Sequence, residues 1–314
     1  MAEIDPLLVI LGPTASGKTA LAARIAFACK GEVISADSRQ VYRNMNLGTG
    51  KDYNDYVVEG ERIPYHLIDI VSAGEMYNVF EYQKDFRRVF TEISAKNKLP
   101  ILCGGSGLYI DSVIKEYKLV KVPLNTELRK ILEKKSMEEL SSILSSLKKL
   151  HNKTDIIDRK RLIRAIEIET YQVEQGLPEE QDIVLQAVIF GIRNDILTQR
   201  NNITQRLNTR LKDGMVEEVK LLLEKGLTPE QLFYYGLEYK FITQYLLGTV
   251  GYDEMVRLLN IAIHQFAKRQ MTWFRKMEKN GTVIHWLDAS LPSEKNLETI
   301  VSILSRQPDF AKFM

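Results

Sequence analysis

An α/β fold, with a mostly parallel sheet flanked by helices and carrying an all-helical insert, is predicted by three observations in the 314-residue sequence. Short apolar runs alternate with helical patterns through the first third of the chain, the texture of βαβ units. Between residues 123 and 181 the texture changes to Leu, Lys, Glu and Ser at helical spacing, with no strand candidate. A glycine turn joins the first apolar run to the first helical pattern, at the kind of strand end where open α/β sheets bind ligands. At roughly 100–200 residues per domain, the length accommodates two compact bodies. We expect residues 1–122 and 182–314 to form one core and residues 123–181 to form the insert.

The elements follow in order. Residues 7–11, Leu-Leu-Val-Ile-Leu, read as a buried strand ending at Gly12-Pro13, and residues 19–29, rich in Ala and Leu, as the helix after it. Residues 32–36, 66–70 and 99–103 supply further strands, the last running into Gly104-Gly105, with a helix over residues 77–96. Inside the insert, residues 128–135 and 137–150 have helical spacing. An apolar run over residues 183–192 returns the chain to the sheet. After Asn194-Asp195 the pattern is helical to about residue 277, and residues 282–286 are a last strand candidate. No internal repeat, low-complexity tract or long Pro/Ser linker interrupts this plan.

Composition removes several function classes. No stretch approaches the roughly 20 consecutive apolar residues of a membrane span. Residues 1–11 carry two acids and no Lys or Arg, unlike a signal-peptide start, so a cytoplasmic protein without membrane association is expected. Cys29, Cys103 and the four histidines share no ligand spacing, which argues against disulfides and zinc and leaves a hard, oxygen-bound cation as the metal to expect. A net charge of +2 says little about a polyanionic partner, but the charge is clustered: six Lys+Arg against one acid over residues 257–279, and four in six over residues 159–164. Taken alone, such runs read as solvated helix faces.

Gly12, Pro13, Thr14, Ala15, Ser16, Gly17, Lys18 and Thr19 satisfy GxxxxGK[ST], after an apolar strand and at the opening of a helix. That context predicts a P-loop NTPase-like core. Backbone N–H groups converge on phosphate oxygens, the helix start adds partial positive charge, Lys18 neutralises phosphate, and the Thr19 hydroxyl can ligate Mg²⁺. These features handle a diphosphate and leave the rest of the ligand open. A P-loop enzyme also needs a carboxylate at a strand end. Asp69 is one candidate; Asp37, in Ile34-Ser-Ala-Asp37-Ser38-Arg39-Gln40, is the stronger, although on spacing alone it equally suits a turn cap.

Gly12-Pro-Thr-Ala-Ser-Gly-Lys-Thr19, Ser35-Ala-Asp-Ser-Arg-Gln-Val-Tyr-Arg43 with Gly48-Thr49-Gly50-Lys51, Gly104-Gly-Ser-Gly-Leu-Tyr109 and Gln270-Met-Thr-Trp-Phe-Arg275 together resemble the tRNA dimethylallyltransferase family. The resemblance spans nearly the whole chain, with further matches at residues 161–167 and 214–219. It implies transfer of a dimethylallyl group from dimethylallyl diphosphate to N6 of adenosine 37, beside the tRNA anticodon, with Mg²⁺ and with the P-loop holding diphosphate instead of ATP. Residue by residue, it implies that Asp37 is the general base and that Lys18, Thr19 and Arg206 serve the diphosphate. It assigns tRNA contacts to Asp37, Ser38, Arg39, Gln40, Ser106, Arg129, Lys160, Arg161, Leu162, Ile163, Arg164 and Lys240. Without it, Arg206 reads as a solvated face shared with Arg210 at i+4.

The same resemblance implies that the basic runs line a tRNA groove, that the insert clamps the anticodon stem-loop, and that adenosine 37 is flipped into a pocket. An enzyme of the bacterial type is expected, since no Cys/His pattern follows the last strand candidate, and a monomer is expected. Phe266, Trp273 and Phe274 are expected in the core. The chain departs from the commoner family pattern in two places: Gly48-Thr-Gly-Lys-Asp52 stands for Gly-Thr-Ala-Lys-Pro, and Glu238 replaces a glycine in Leu237-Glu-Tyr-Lys240. Competing readings are a small-molecule P-loop kinase, a non-catalytic nucleic-acid-binding module, and a prenyltransferase acting on free adenine nucleotides. The insert speaks against the last, because a small acceptor needs no clamp.

Overall fold

The structure, a computed structural model, describes residues 5–147, 158–175 and 185–314. The chain opens with β1 (Asp5–Leu11), α1 (Lys18–Ala28), β2 (Glu32–Ala36), a 3-10 turn (Tyr53–Tyr56), and short strands β3 (Val57–Val58), β4 (Glu61–Arg62) and β5 (Tyr65–His66). It continues with α2 (Val79–Ser94), β6 (Pro100–Gly104), α3 (Gly107–Ile114), α4 (Thr126–Leu132), α5 (Met137–Leu147), α6 (Arg159–Gln175) and β7 (Leu185–Arg193). Five helices follow: α7 (Ile196–Lys212), α8 (Met215–Glu224), α9 (Pro229–Tyr234), α10 (Leu237–Leu246) and α11 (Tyr252–Lys279). The last elements are β8 (His285–Asp288), α12 (Ser293–Leu304) and α13 (Pro308–Ala311).

These elements fall into two compact units, Met1–Glu116 with Ile183–Met314, and Tyr117–Asp182. In the first, six strands pair in the order β5-β2-β6-β1-β7-β8, and every pairing is parallel. The apolar runs alternate across the sheet. Leu7, Val9 and Leu11 enter a core shared with Phe86 and Phe90 of α2 and Leu259 and Phe274 of α11, while Leu8 and Ile10 enter one shared with Leu21 and Ile25 of α1 and Ile300 of α12. Helices thus cover both faces, as a buried parallel sheet requires.

Register fixes where the chemistry sits. Leu11 pairs with Gly104, and Gly104 with Ala36, so β1, β6 and β2 end level with one another. The P-loop, Gly105-Ser106 and Asp37 therefore leave the sheet side by side. A Cβ on Gly104 would lie 2.1 Å from the Ala36 carbonyl oxygen, so only glycine lets the middle strand run this close to its neighbour.

The strand expected over residues 66–70 is not continuous. Pairing stops at His66, because Leu67 and Asp69 take left-handed backbone angles, φ +61° and +57°. Asp69 is drawn into the local structure instead: its carboxylate binds the buried Lys51 ammonium at 2.6 Å and accepts the Tyr53 hydroxyl. It braces a loop and is not the second carboxylate of the phosphate site. The helix expected over residues 77–96 is α2, which starts two residues later because the Asn78 side chain accepts the Phe80 and Glu81 amides.

Among the described residues, the second unit is three helices around Leu132, Leu140, Leu144, Leu162, Ile163 and Ile166. Residues 148–150 of the expected helix lie outside the described residues. Leu102, fully buried on β6, tests the load on the central strand. Leu102→Ala should destabilise the protein by about 2–5 kcal/mol, read as a lower midpoint in urea unfolding.

Candidate functional site

A cleft of about 760 Å³ opens at the level strand ends, lined by P-loop residues 14–19, by Asp37, Ser38, Arg39 and Gln40 after β2, and by Ser106. Its opposite side carries Arg206 and Arg210 of α7, Glu238 and Lys240 of α10, and Phe266, Arg269 and Gln270 of α11. The volume suits a nucleobase together with a small diphosphate.

The P-loop is fastened from two directions. The Thr14 amide donates to Gln270 Oε1 at 2.9 Å, Gln270 Nε2 donates to the Gly105 carbonyl at 2.9 Å, and Gln199 Nε2 donates to the Thr14 carbonyl at 2.6 Å. One amide on α11 thus ties the loop after β1 to the loop after β6. Lys18 Nζ donates back to the Pro13 carbonyl at 3.3 Å, and burial pushes its ammonium below the ordinary value. The Ser16 hydroxyl is buried and meets no partner in the protein. A loop that holds a buried, unpartnered hydroxyl beside an ammonium drawn back at 3.3 Å onto its own carbonyl is suited to phosphate oxygens.

Asp37 does both things that its position allows. Its Oδ1 accepts the Arg39 amide at 2.9 Å, the turn-capping contact, and the carboxylate still lines the cleft. The surrounding turn is tightly held. Ser106 Oγ accepts the Ser38 amide at 3.0 Å, Gln40 Nε2 donates to the Gly50 carbonyl at 3.0 Å, and the Arg39 guanidinium lies 4.9 Å over the Tyr234 ring. Glu218 of α8 holds the loop across from it, accepting the amides of Asn46, Leu47 and Gly48 at 2.8, 2.8 and 3.0 Å and the Tyr239 hydroxyl at 2.7 Å.

Arg206 is not on a solvated face. Its Nη1 donates to Thr14 Oγ1 at 3.2 Å and its Nη2 to Asp52 Oδ2 at 2.7 Å, and Arg210 Nη2 reaches Asp52 Oδ1 at 2.9 Å. Burial opposes the ionised form of Asp52, yet Arg206 and Arg210 hold its carboxyl below the ordinary value. Asp55, also on the cleft wall, is pushed up by burial and by Asp52. Glu238 is likewise raised by burial, against the pull of Arg210 and Arg206.

For Mg²⁺, the fitting donor is the Thr19 hydroxyl, with Asp37 and Asp55 as hard oxygens on the same wall. Among the described residues no group of three or more His, Cys, Asp or Glu could form a closed metal cage. The oxygen set fits a Mg²⁺ ion that completes its shell with phosphate oxygens and water.

The other expected contacts lie in the second unit. Arg129 and Arg164 converge on Glu167, which is 1% exposed: Arg129 donates at 3.0 and 2.8 Å, Arg164 closes on the same carboxylate, and the Asn125 amide adds a bond at 2.7 Å. Leu162 and Ile163 are buried among leucines, so they carry the helix and offer no surface to RNA. Lys160 and Arg161 are exposed, while Arg159 donates to the carbonyls of Glu133 and Lys135 past the end of α4.

The sequence reading missed Phe266, expected in the core but lining the cleft at 38% exposure, and gave no role to Gln270 or Glu218. Phe274 is buried as expected, and Trp273 packs over Gly107. Phe266 sits seven residues before Trp273, and that spacing alone does not distinguish a core face from a cleft wall. Gln270 carried a signal: it is a buried polar residue on the apolar face of α11, which has to find partners.

Comparisons with known proteins agree in direction. A family model described as IPP transferase matches residues 40–277. tRNA dimethylallyltransferase 1 of Parabacteroides distasonis is 56% identical over 301 residues, covering 96% of this chain and 98% of the relative. tRNA dimethylallyltransferase 2 of Bacteroides fragilis is 56% identical over 294 residues, covering 94% and 96%. The crystal structure of the full-length tRNA isopentenylpyrophosphate transferase of Bacillus halodurans superposes with a TM-score of 0.71 at 29% identity, covering 98% of both chains. A eukaryotic dimethylallyltransferase acting on tRNA superposes with a TM-score of 0.75 at 22% identity, covering 97% of this chain and 80% of that one, a likeness of fold.

The Glu167 cluster makes a pH prediction. Burial works against the carboxylate, but Arg129, the Asn125 amide and Arg164 hold it down to about 2, from 4.5. A depressed folded-state pKa contributes stability that is complete above about pH 5 and is lost as the pH falls towards 2, here about 3 kcal/mol. Urea unfolding followed by circular dichroism between pH 6 and 3 should show this slope, and Glu167→Gln should flatten it.

Proposed function

The chain belongs to the IPP transferase family, and from that premise we propose that it transfers a dimethylallyl group from dimethylallyl diphosphate to N6 of adenosine 37 in tRNA. One observation carries this reading: a single cleft joins a phosphate-binding loop to a carboxylate at a neighbouring strand end. The P-loop, Lys18 and Arg206 grip the diphosphate. Asp37, two strands away in the sheet, faces the acceptor amine.

The allylic C1–O bond breaks, and its electron pair leaves with the diphosphate, so negative charge grows on oxygens beside Lys18, Arg206 and the P-loop amides. The Thr19 hydroxyl would hold a bound Mg²⁺, which would add positive charge beside those oxygens. The adenine N6 lone pair is delocalised into the ring and makes a poor nucleophile. Asp37 accepts a hydrogen bond from the amine and takes its proton as the N6–C1 bond forms. The Arg39 amide on Asp37 Oδ1 aims the carboxylate.

The acceptor enters as a flipped base. Ser38, Arg39, Gln40 and Ser106 offer polar groups at the rim, and Phe266 and Tyr234 offer rings against which an unstacked base can lie. Lys240 and Arg269 on the same wall suit the adjoining RNA phosphates, and the exposed Lys160 and Arg161 of the second unit are of the residue types that bind RNA phosphate.

The test is incubation with Mg²⁺, radiolabelled dimethylallyl diphosphate and tRNA that lacks the modification, followed by digestion to nucleosides. Label on N6 of adenosine 37 is expected, and Asp37→Ala should lower the rate by about 10²–10⁴-fold while donor binding persists. Label on free adenine nucleotides would displace tRNA as acceptor. ATP hydrolysis without prenyl transfer would favour the kinase reading instead.

A further inference from the structure

The two departures in the segment Gly48-Thr-Gly-Lys-Asp52 meet the same pair of arginines. Arg206 and Arg210 are four residues apart on α7, so their guanidinium groups project from one face. Their side chains are only 28% and 12% exposed. The Asp52 carboxylate lies between them, with Oδ2 2.7 Å from Arg206 Nη2 and 3.1 Å from Arg210 Nη2, and Oδ1 2.9 Å from Arg210 Nη2. A Cβ on Gly50 would lie 2.7 Å from Nη2 of both arginines. The missing side chain at position 50 is what lets the two cations close over the loop and onto Asp52.

Two half-buried cations this close need a counter-anion. Arg206 is also bonded to Thr14 of the P-loop, and both arginines line the cleft with residues 14–19. A diphosphate seated in the loop offers the same groups more charge and more acceptor oxygens than one carboxylate does. Asp52 is 46% exposed, so its side chain can turn to solvent without disturbing the fold.

We propose that Asp52 is an internal competitor for the diphosphate. It neutralises Arg206 and Arg210 while the donor is absent, yields them as the donor binds, and reclaims them as the diphosphate product leaves. This inference rests on the diphosphate reading of the site. Asp52 acts as a positioning residue, through the arginines, and its effect falls on the affinity for diphosphate at both ends of the turnover.

The experiment is calorimetric titration of inorganic pyrophosphate, with Mg²⁺, into the full-length protein and four variants. Lys18→Ala should lose binding; if it binds as the unaltered protein does, the diphosphate reading itself fails. Asp52→Asn and Asp52→Ala should bind pyrophosphate about tenfold more tightly, lower the KM for the donor and increase product inhibition by pyrophosphate, while Asp52→Glu should restore the original values. A merely structural brace predicts the reverse. Unchanged or weaker pyrophosphate binding in both the Asn and Ala variants, with Lys18→Ala still defective, would overturn the competitor role and leave the diphosphate site standing.

Discussion

The site depends on three parallel strands ending at one level. Leu11, Gly104 and Ala36 lie in register, so the segments leaving β1, β6 and β2 emerge together with their amides and side chains turned to one edge. Parallel pairing makes this possible, because each strand reaches that edge with the same polarity and each needs a crossover to return. The crossovers place α2 and α3 on one face and α1 on the other, and α7, α9, α10 and α11 complete the lining of the cleft. Any slip of β6 would move Ser106 away from Ser38 and Gly105 away from Gln270.

Around that edge the molecule uses side-chain amides and carboxylates where backbone pairing runs out. Gln270 serves two loops at once, and Glu218 gathers three successive amides and a tyrosine hydroxyl. Replacing either with an apolar residue would be costly, because the loop groups it serves would be left without a partner. Their effect is to hold the loops in one arrangement before any ligand arrives, so that little ordering remains to be done on binding.

Much of this was legible in the sequence. The strands over residues 32–36 and 7–11 announced themselves by apolar runs bounded by turn residues, and GxxxxGK[ST] fixed the first turn by its own chemistry. The order of strands was not legible, because periodicity carries no information about which strand lies next to which; β6 separates β1 from β2, so Asp37 reaches the P-loop across an intervening strand. Residues 66–70 misled for a related reason: apolar content marked them as a strand, whereas pairing among Lys51, Tyr53 and Asp69 bends the backbone. Among the expected tRNA contacts, Leu162 and Ile163 read as part of a basic segment, yet the 3.6-residue period turns them inward. Arg129 and Arg164 looked like groups for RNA phosphate and are held by Glu167, which lies one helical turn from Arg164 on α6 but is brought to Arg129 only by the packing of α4 against α6.

The sheet's margins have a consequence of their own. Its two outer strands, β5 and β8, run for two and four residues, against seven for β1 and nine for β7 in the interior. A margin that short presents few unpaired amides and carbonyls, so a foreign strand finds almost nothing to zip onto. Fibre-like association by sheet extension is thereby discouraged, and the long, sticky strands are kept where other strands already cover them.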